Sequence, residues 1–181
     1  PSPPPPRVAG KHSSAGARFS LDAQVGYVFL PTEDQYAGAL VTTSAAVTWD
    51  AGLWRVGMVL RVLAAPELSS TAAPLPWTDV SDDLEVTTSM YGVYLGAFGY
   101  HEGFWGSASL GAFQLEGAEL MHPTTEEIRI TEGKIVPELS LAVGYDLHMG
   151  DHVAWRISGE LGTFFLLTWR LNVTSGLVVK F

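Results

Sequence analysis

The chain has no cysteine, which removes disulfides and thiolate metal sites and argues against a small disulfide-framed secreted fold. It also has no run of about 18 apolar residues, so no membrane-spanning helix can be drawn from it. Yet apolar residues make up 47% of its 181 positions, spread over many short segments. Charged residues are scarce at 16%, and the net charge is −9. Phosphate backbones require basic clusters, so nucleic acid is excluded as a partner. There is no Gly-rich phosphate loop and no nucleophile elbow. A charged n-region followed by an apolar h-region is missing too, and the chain opens on Pro1 rather than Met; this reads as a chain whose secretion signal has been removed.

What is present is alternation. From Trp169 to Phe181 the odd positions Trp169, Leu171, Val173, Leu177, Val179 and Phe181 are apolar, whereas Arg170, Asn172, Thr174 and Lys180 form most of the other face. A period of two marks a strand. The same pattern predicts seven more strands: Phe19 to Phe29, Ala39 to Trp49, Trp54 to Val62, about 86 to 100, Phe104 to Leu115, Ile135 to Asp146, and Val153 to Phe165. Turns at 50 to 52, at 101 to 103 and around 148 to 151 are short and carry Asp, Glu or Gly, the chemistry of tight reversals. The other connections are mostly longer, with loops expected over 65 to 84 and 116 to 133; Ile128 to Ile130 is read as extending a strand beyond the membrane. Pro137 falls inside strand six, where it removes a ladder hydrogen bond. Residues 1 to 17, with Pro3 to Pro6, differ in composition and read as a Pro-rich, disordered or semi-rigid leader.

A bilayer has no water to satisfy backbone groups, so a chain without a spanning helix crosses it only as a closed barrel. Eight strands, an even number, and alternating short and long connections predict an all-β, eight-stranded antiparallel up-and-down transmembrane barrel over 18 to 181. The polar face decides which side is inside. It carries Gly, Ser and Thr plus nine charges of both signs: Asp22, Arg55, Arg61, Glu138, Asp146, Arg156, Glu160, Arg170 and Lys180. An eight-stranded barrel is just wide enough for side chains to fill, and buried charges must pair. These nine are therefore expected to plug the lumen; the competing reading is a gated or proton-conducting path. Trp49, Trp54, Tyr100, Phe104, Trp105, Tyr145, Phe19 and Phe181 are expected at the turn-side interface, with Tyr27, Phe29, Tyr91, Phe165 and Trp169 at the loop side, as two aromatic belts.

In strand number, loop asymmetry, charged lumen and terminal Phe181, residues 18 to 181 resemble the small eight-stranded bacterial outer-membrane proteins, the class of the outer-membrane protein A transmembrane domain and outer-membrane protein X. The resemblance implies a Gram-negative outer membrane with both termini periplasmic. It also implies that Val173, Leu177, Val179 and Phe181 are read by the barrel assembly machinery, and that outer-membrane lipid and lipopolysaccharide surround the barrel. Functions in that class range over adhesion, envelope anchoring, solute passage and lipid A modification, and fold alone does not choose among them.

Candidate chemistry is sparse. His12-Ser13-Ser14 is the nearest match to a lipid-modifying His/Ser pair, but it lies in the leader. His122, beside Thr124 and Thr125, reads as a solvated loop residue. His148 and His152 flank Asp151 as a surface metal pair lacking a third ligand, so no metal and no cofactor is expected. The stronger signal is acidic. Twelve loop acids, Glu33, Asp34, Glu67, Asp79, Asp82, Asp83, Glu85, Glu116, Glu119, Glu126, Glu127 and Glu132, face only Arg129 and Lys134. Their densest group is Asp79, Asp82, Asp83 and Glu85. Besides keeping the surface soluble, such loops can hold divalent cations or dock a basic partner. The sequence thus points to a non-enzymatic structural or interaction subunit of the envelope with a protein complex partner, the alternative being a narrow channel for small or hydrophobic solutes.

Overall fold

A computed structural model describes residues 16–31, 36–70, 87–120, 128–164 and 168–181. Eight strands follow in order: β1 (Arg18–Leu30), β2 (Tyr36–Ala51), β3 (Trp54–Ser70), β4 (Thr87–His101), β5 (Phe104–Leu120), β6 (Ile128–His148), β7 (Val153–Phe164) and β8 (Thr168–Lys180). Each pairs antiparallel with its chain neighbours, and β1 pairs with β8 to close the barrel. At the turn-side end Phe19 and Phe181 exchange both backbone hydrogen bonds, at 3.4 and 2.9 Å. Closure leaves no edge strand in the barrel wall, the condition for backbone in hydrocarbon. Among the described residues no helix is long and apolar enough to cross a membrane.

The burial pattern is that of a soluble protein turned inside out. Val25, Leu110 and Val143 are 66, 70 and 67% exposed, whereas Asp146, Arg170 and Glu138 are 0, 1 and 3% exposed. The outward apolar face needs lipid to cover it, because so continuous an exposed band would aggregate in water.

Two tight turns fix hairpin registers at one end. Gly52 has φ +69°, and β2 resumes as β3 after Leu53; between β4 and β5, Glu102 and Gly103 both have positive φ, 47° and 95°, as the mirror-image hairpin turns require.

Several strands run further than the alternation predicts. β3 continues to Ser70, β5 to Leu120, and β6 begins at Ile128, where loops were expected over 65 to 84 and 116 to 133. Residues 128–130 do extend β6, paired with β5 from Leu120↔Ile128 onward. The backbone ladder thus persists where the apolar-polar alternation of the sequence fades. β6 pairs with β7 only as far as Leu139↔Thr163. Pro137, two residues away, has no N–H to donate, and the β5–β6 ribbon projects past β7. The Pro-rich leader and the acidic group Asp79, Asp82, Asp83 and Glu85 lie outside the described residues, as do His12, His122 and Phe165.

Candidate functional site: a lumen of paired charges

Inward-facing side chains fill the barrel in layers. Near the loop side Val28, Leu30, Leu40, Leu63, Leu68, Met90, Tyr94 and Phe113 form one apolar cluster; toward the turn side Ala46, Val59, Phe98, Trp105 and Ala142 form a second. The lumen is thus more apolar than the Gly, Ser and Thr of the sequence pattern imply. Trp105 and Tyr100 belong inside rather than in the expected outer belt. Trp105 is 5% exposed and stacks on Phe98, and the Tyr100 hydroxyl accepts from Lys180 Nζ at 3.0 Å.

Eight of the nine predicted lumen charges are brought together as two quartets. In the turn-side quartet Arg156 forks onto Asp146, Nε to Oδ1 at 2.7 Å and Nη2 to Oδ2 at 3.0 Å, while its Nη1 reaches Asp22 at 2.7 Å. Lys180 Nζ completes the set 3.0 Å from Asp146 Oδ2. Asp22 also accepts from Gln24 Nε2 and the Ser44 hydroxyl, and Gln24 Oε1 in turn accepts from Ser158 and Thr174.

The loop-side quartet crosses the barrel. Arg61 on β3 lies 3.0 Å from Glu160 on β7, and these strands stand on opposite walls of the eight-strand ring. Arg170 Nη2 donates to Glu160 at 2.8 Å and to Glu138 at 3.0 Å. Glu138 also accepts from the Tyr94 hydroxyl, and Glu160 from Ser140 and Asn172. Each quartet holds two acids and two bases and is neutral by itself. Charges this deeply buried are tolerated only when paired and hydrogen-bonded. Trp105 touches both sets, its ring centre 4.5 Å from the Arg156 guanidinium and 6.0 Å from that of Arg61.

Space for the loop-side quartet comes from a small residue on the strand between its members. On β7, beside Arg170 in the ladder, a Cβ built on Gly162 would overlap the Glu138 carboxylate, so this glycine is required by close approach rather than by backbone angle.

Arg55 differs from the other eight. It sits at the turn-side rim, its side chain 33% exposed, with Nε 3.2 Å from Asp50 Oδ1; Arg18 approaches the same carboxylate at 3.5 Å. The rim surrounds a cavity of about 600 Å³ that is also lined by Tyr100, His101, His148, His152 and Lys180. His101 Nδ1 lies 2.8 Å from the Leu53 carbonyl and His152 Nδ1 3.0 Å from the Lys180 carbonyl. Carbonyls only accept, so both rings carry hydrogen on Nδ1. His148 Nε2 faces Lys180 Nζ at 3.3 Å and the Tyr100 hydroxyl at 3.0 Å. Among the described residues no group of three or more metal-capable side chains converges.

Of the four residues expected to form the assembly signal, Val173, Leu177, Val179 and Phe181 all face outward, between 37 and 68% exposed. Trp105 and Tyr100 were the lumen aromatics misplaced by sequence reasoning; for Trp105 strand parity could have found it, since Ala108, Leu110 and Ala112 already fix which face of β5 looks out.

No protein-family model matches the chain, and no curated protein matches it. Solved structures do. Neisserial surface protein A superposes with a TM-score of 0.56 at 11% identity, covering 92% of this chain and 99% of that one. Ail, the attachment invasion locus protein of Yersinia pestis, solved in complex with the heparin analogue sucrose octasulfate, gives 0.54 at 13% identity, covering 90% and 99%. At such identities the likeness concerns the fold, which is that of the small eight-stranded outer-membrane β-barrels of Gram-negative bacteria.

Proposed function

We propose that the chain is a non-enzymatic outer-membrane barrel whose closed lumen makes it a rigid mount for what its two ends display, and that it works as a structural or interaction subunit of the envelope. The reading places the short turns and both termini in the periplasm and the long acidic loops outside. The observation that carries it is the pair of neutral quartets, with the apolar cluster of Phe98 and Trp105 packed against both and a second apolar cluster toward the loop side. A conducting barrel needs a wet, continuous path, and here guanidinium and carboxylate groups bridge opposite walls instead. Acidic loops on a rigid mount suit a basic surface partner or divalent cations shared with lipopolysaccharide phosphates.

A second reading, passage of hydrophobic solutes sideways into the membrane, draws on the β6–β7 ladder stopping at Leu139↔Thr163 beside Pro137. Planar-bilayer recording and solute uptake separate the two. The mount predicts a silent wild-type barrel and a stoichiometric companion on purification from native outer membrane in mild detergent. Reproducible discrete currents that change with Glu160→Gln or Arg61→Gln would overturn it, as would recovery of the barrel alone under every mild condition.

A further inference from the structure

The turn-side mouth has a chemistry that neither a mount nor a channel requires. We propose that this mouth is a binding site for a compact multivalent oxyanion, a phosphate or clustered-carboxylate group. The cavity there, about 600 Å³, is lined by Arg18, Arg55, Arg156 and Lys180. Their carboxylate partners Asp22, Asp50 and Asp146 are not part of that wall. The cations therefore stand between their own counter-charges and the open space. At the rim Arg18 and Arg55 share the carboxylate of Asp50, and neither is fully buried at 49 and 33% side-chain exposure.

Ser20, Thr48 and Tyr100 line the same wall, the Tyr100 hydroxyl lying 3.0 Å from both Lys180 Nζ and His148 Nε2. Two acids also line it, Glu102 and Asp151, but both sit on the rim turns and are exposed, Glu102 by 85%. Water screens them, as it does Arg18 in part, whereas Arg156 and Lys180 are recessed at 3 and 20% side-chain exposure, within low-dielectric walls that focus their field. Guanidinium groups with free N–H edges match oxyanions geometrically as well as in charge. Below the site the turn-side quartet closes the floor, so the mouth is a dead-end pocket. The same chemistry could come from a soluble anion or from the headgroup of an anionic phospholipid in the adjoining leaflet.

The test uses the full chain refolded into phosphatidylcholine nanodiscs at low salt, with inorganic phosphate and citrate titrated by calorimetry. The expected result is saturable binding at one site per barrel, weakened at least about tenfold in an Arg18→Gln/Arg55→Gln double variant, the size of a lost charge-assisted contact. Asp50→Asn, which removes the rim carboxylate, should instead tighten binding several-fold. Arg18→Gln alone, at the most exposed of these positions, gives the same sign if the double variant does not fold. Competition by phosphatidylglycerol in the disc would assign the site to a headgroup, and its lack to a soluble anion. No saturable binding to the wild type, or equal binding by the wild type and the arginine variants, would overturn the proposal. None of these outcomes depends on whether the barrel has a protein companion.

Discussion

Arg170 grips Glu138 through both Nε and Nη2, at 3.0 to 3.2 Å, with neither side chain more than 1% exposed. The pair joins β8 to β6 across the intervening β7, so it ties together strands that share no ladder. Substituting Arg170→Met leaves two buried carboxylates facing Arg61 alone and should cost about 3–5 kcal/mol. Adding Glu138→Leu removes the stranded charge and should restore much of that loss. Urea titration in lipid vesicles, followed by tryptophan fluorescence, reads both; an Arg170→Met barrel as stable as the wild type would remove the loop-side quartet from the list of stabilising elements.

Gly162→Ala tests the same quartet from the strand between β6 and β8. The added methyl enters the space of the Glu138 carboxylate, so the ion pair must shift, and overpacking of this kind costs about 1–3 kcal/mol. Gly159→Ala is the comparison, because a Cβ there meets only the Asn172 carbonyl oxygen at 3.9 Å. The two urea midpoints should separate, with only Gly162→Ala clearly lowered.

Glu102 holds a left-handed backbone at φ 47° in the β4–β5 turn. A side chain with a Cβ pays about 1–2 kcal/mol for that conformation, while Asn before Gly is the favoured pair in such turns. Glu102→Asn should therefore raise the unfolding midpoint, by up to about 1 kcal/mol in stability. An unchanged or lowered midpoint would show that the turn is not strained.

The lipid face gives the fourth test. Leu141, 50% exposed and near the middle of the paired part of β6, faces outward, and arginine near the bilayer midplane of a barrel costs about 2–4 kcal/mol. Leu141→Arg should show that loss in vesicles, whereas Leu53→Arg, in a turn outside the strands, should be close to neutral. Equal effects would contradict the position of the membrane band.

Much of this was legible from parity alone. Alternation in β1, β7 and β8 places Asp22, Arg156 and Arg170 inward, and the structure has them there. Trp105 was misplaced because aromatic bulk was read as a belt signal. It follows Phe104, however, and neighbours on a strand face opposite ways, so only one of the two can look out. Arg55 shares the parity of Arg61, but how high a residue sits relative to the rim depends on strand stagger, which no single strand encodes. Stagger also decides which acid meets which base. Alternation could supply the eight members of the quartets and not the pairing of Arg61 with Glu160 across the lumen.

The distribution of those charges along the chain carries a consequence for assembly. Strands β6, β7 and β8 contain Glu138, Asp146 and Glu160 together with Arg156, Arg170 and Lys180, already matched as contacts among themselves. Asp22 and Arg61 arrive singly, from β1 and β3, and find Arg156 and Glu160 only on the far side of the seam or lumen. The last three strands can thus enter hydrocarbon as an electrically complete sheet, while Asp22 and Arg61, which flank Ser44 in one row of the first three, reach Arg156 and Glu160 only when the cylinder shuts. Closing the β1–β8 seam therefore adds two ion pairs that no smaller part of the barrel contains.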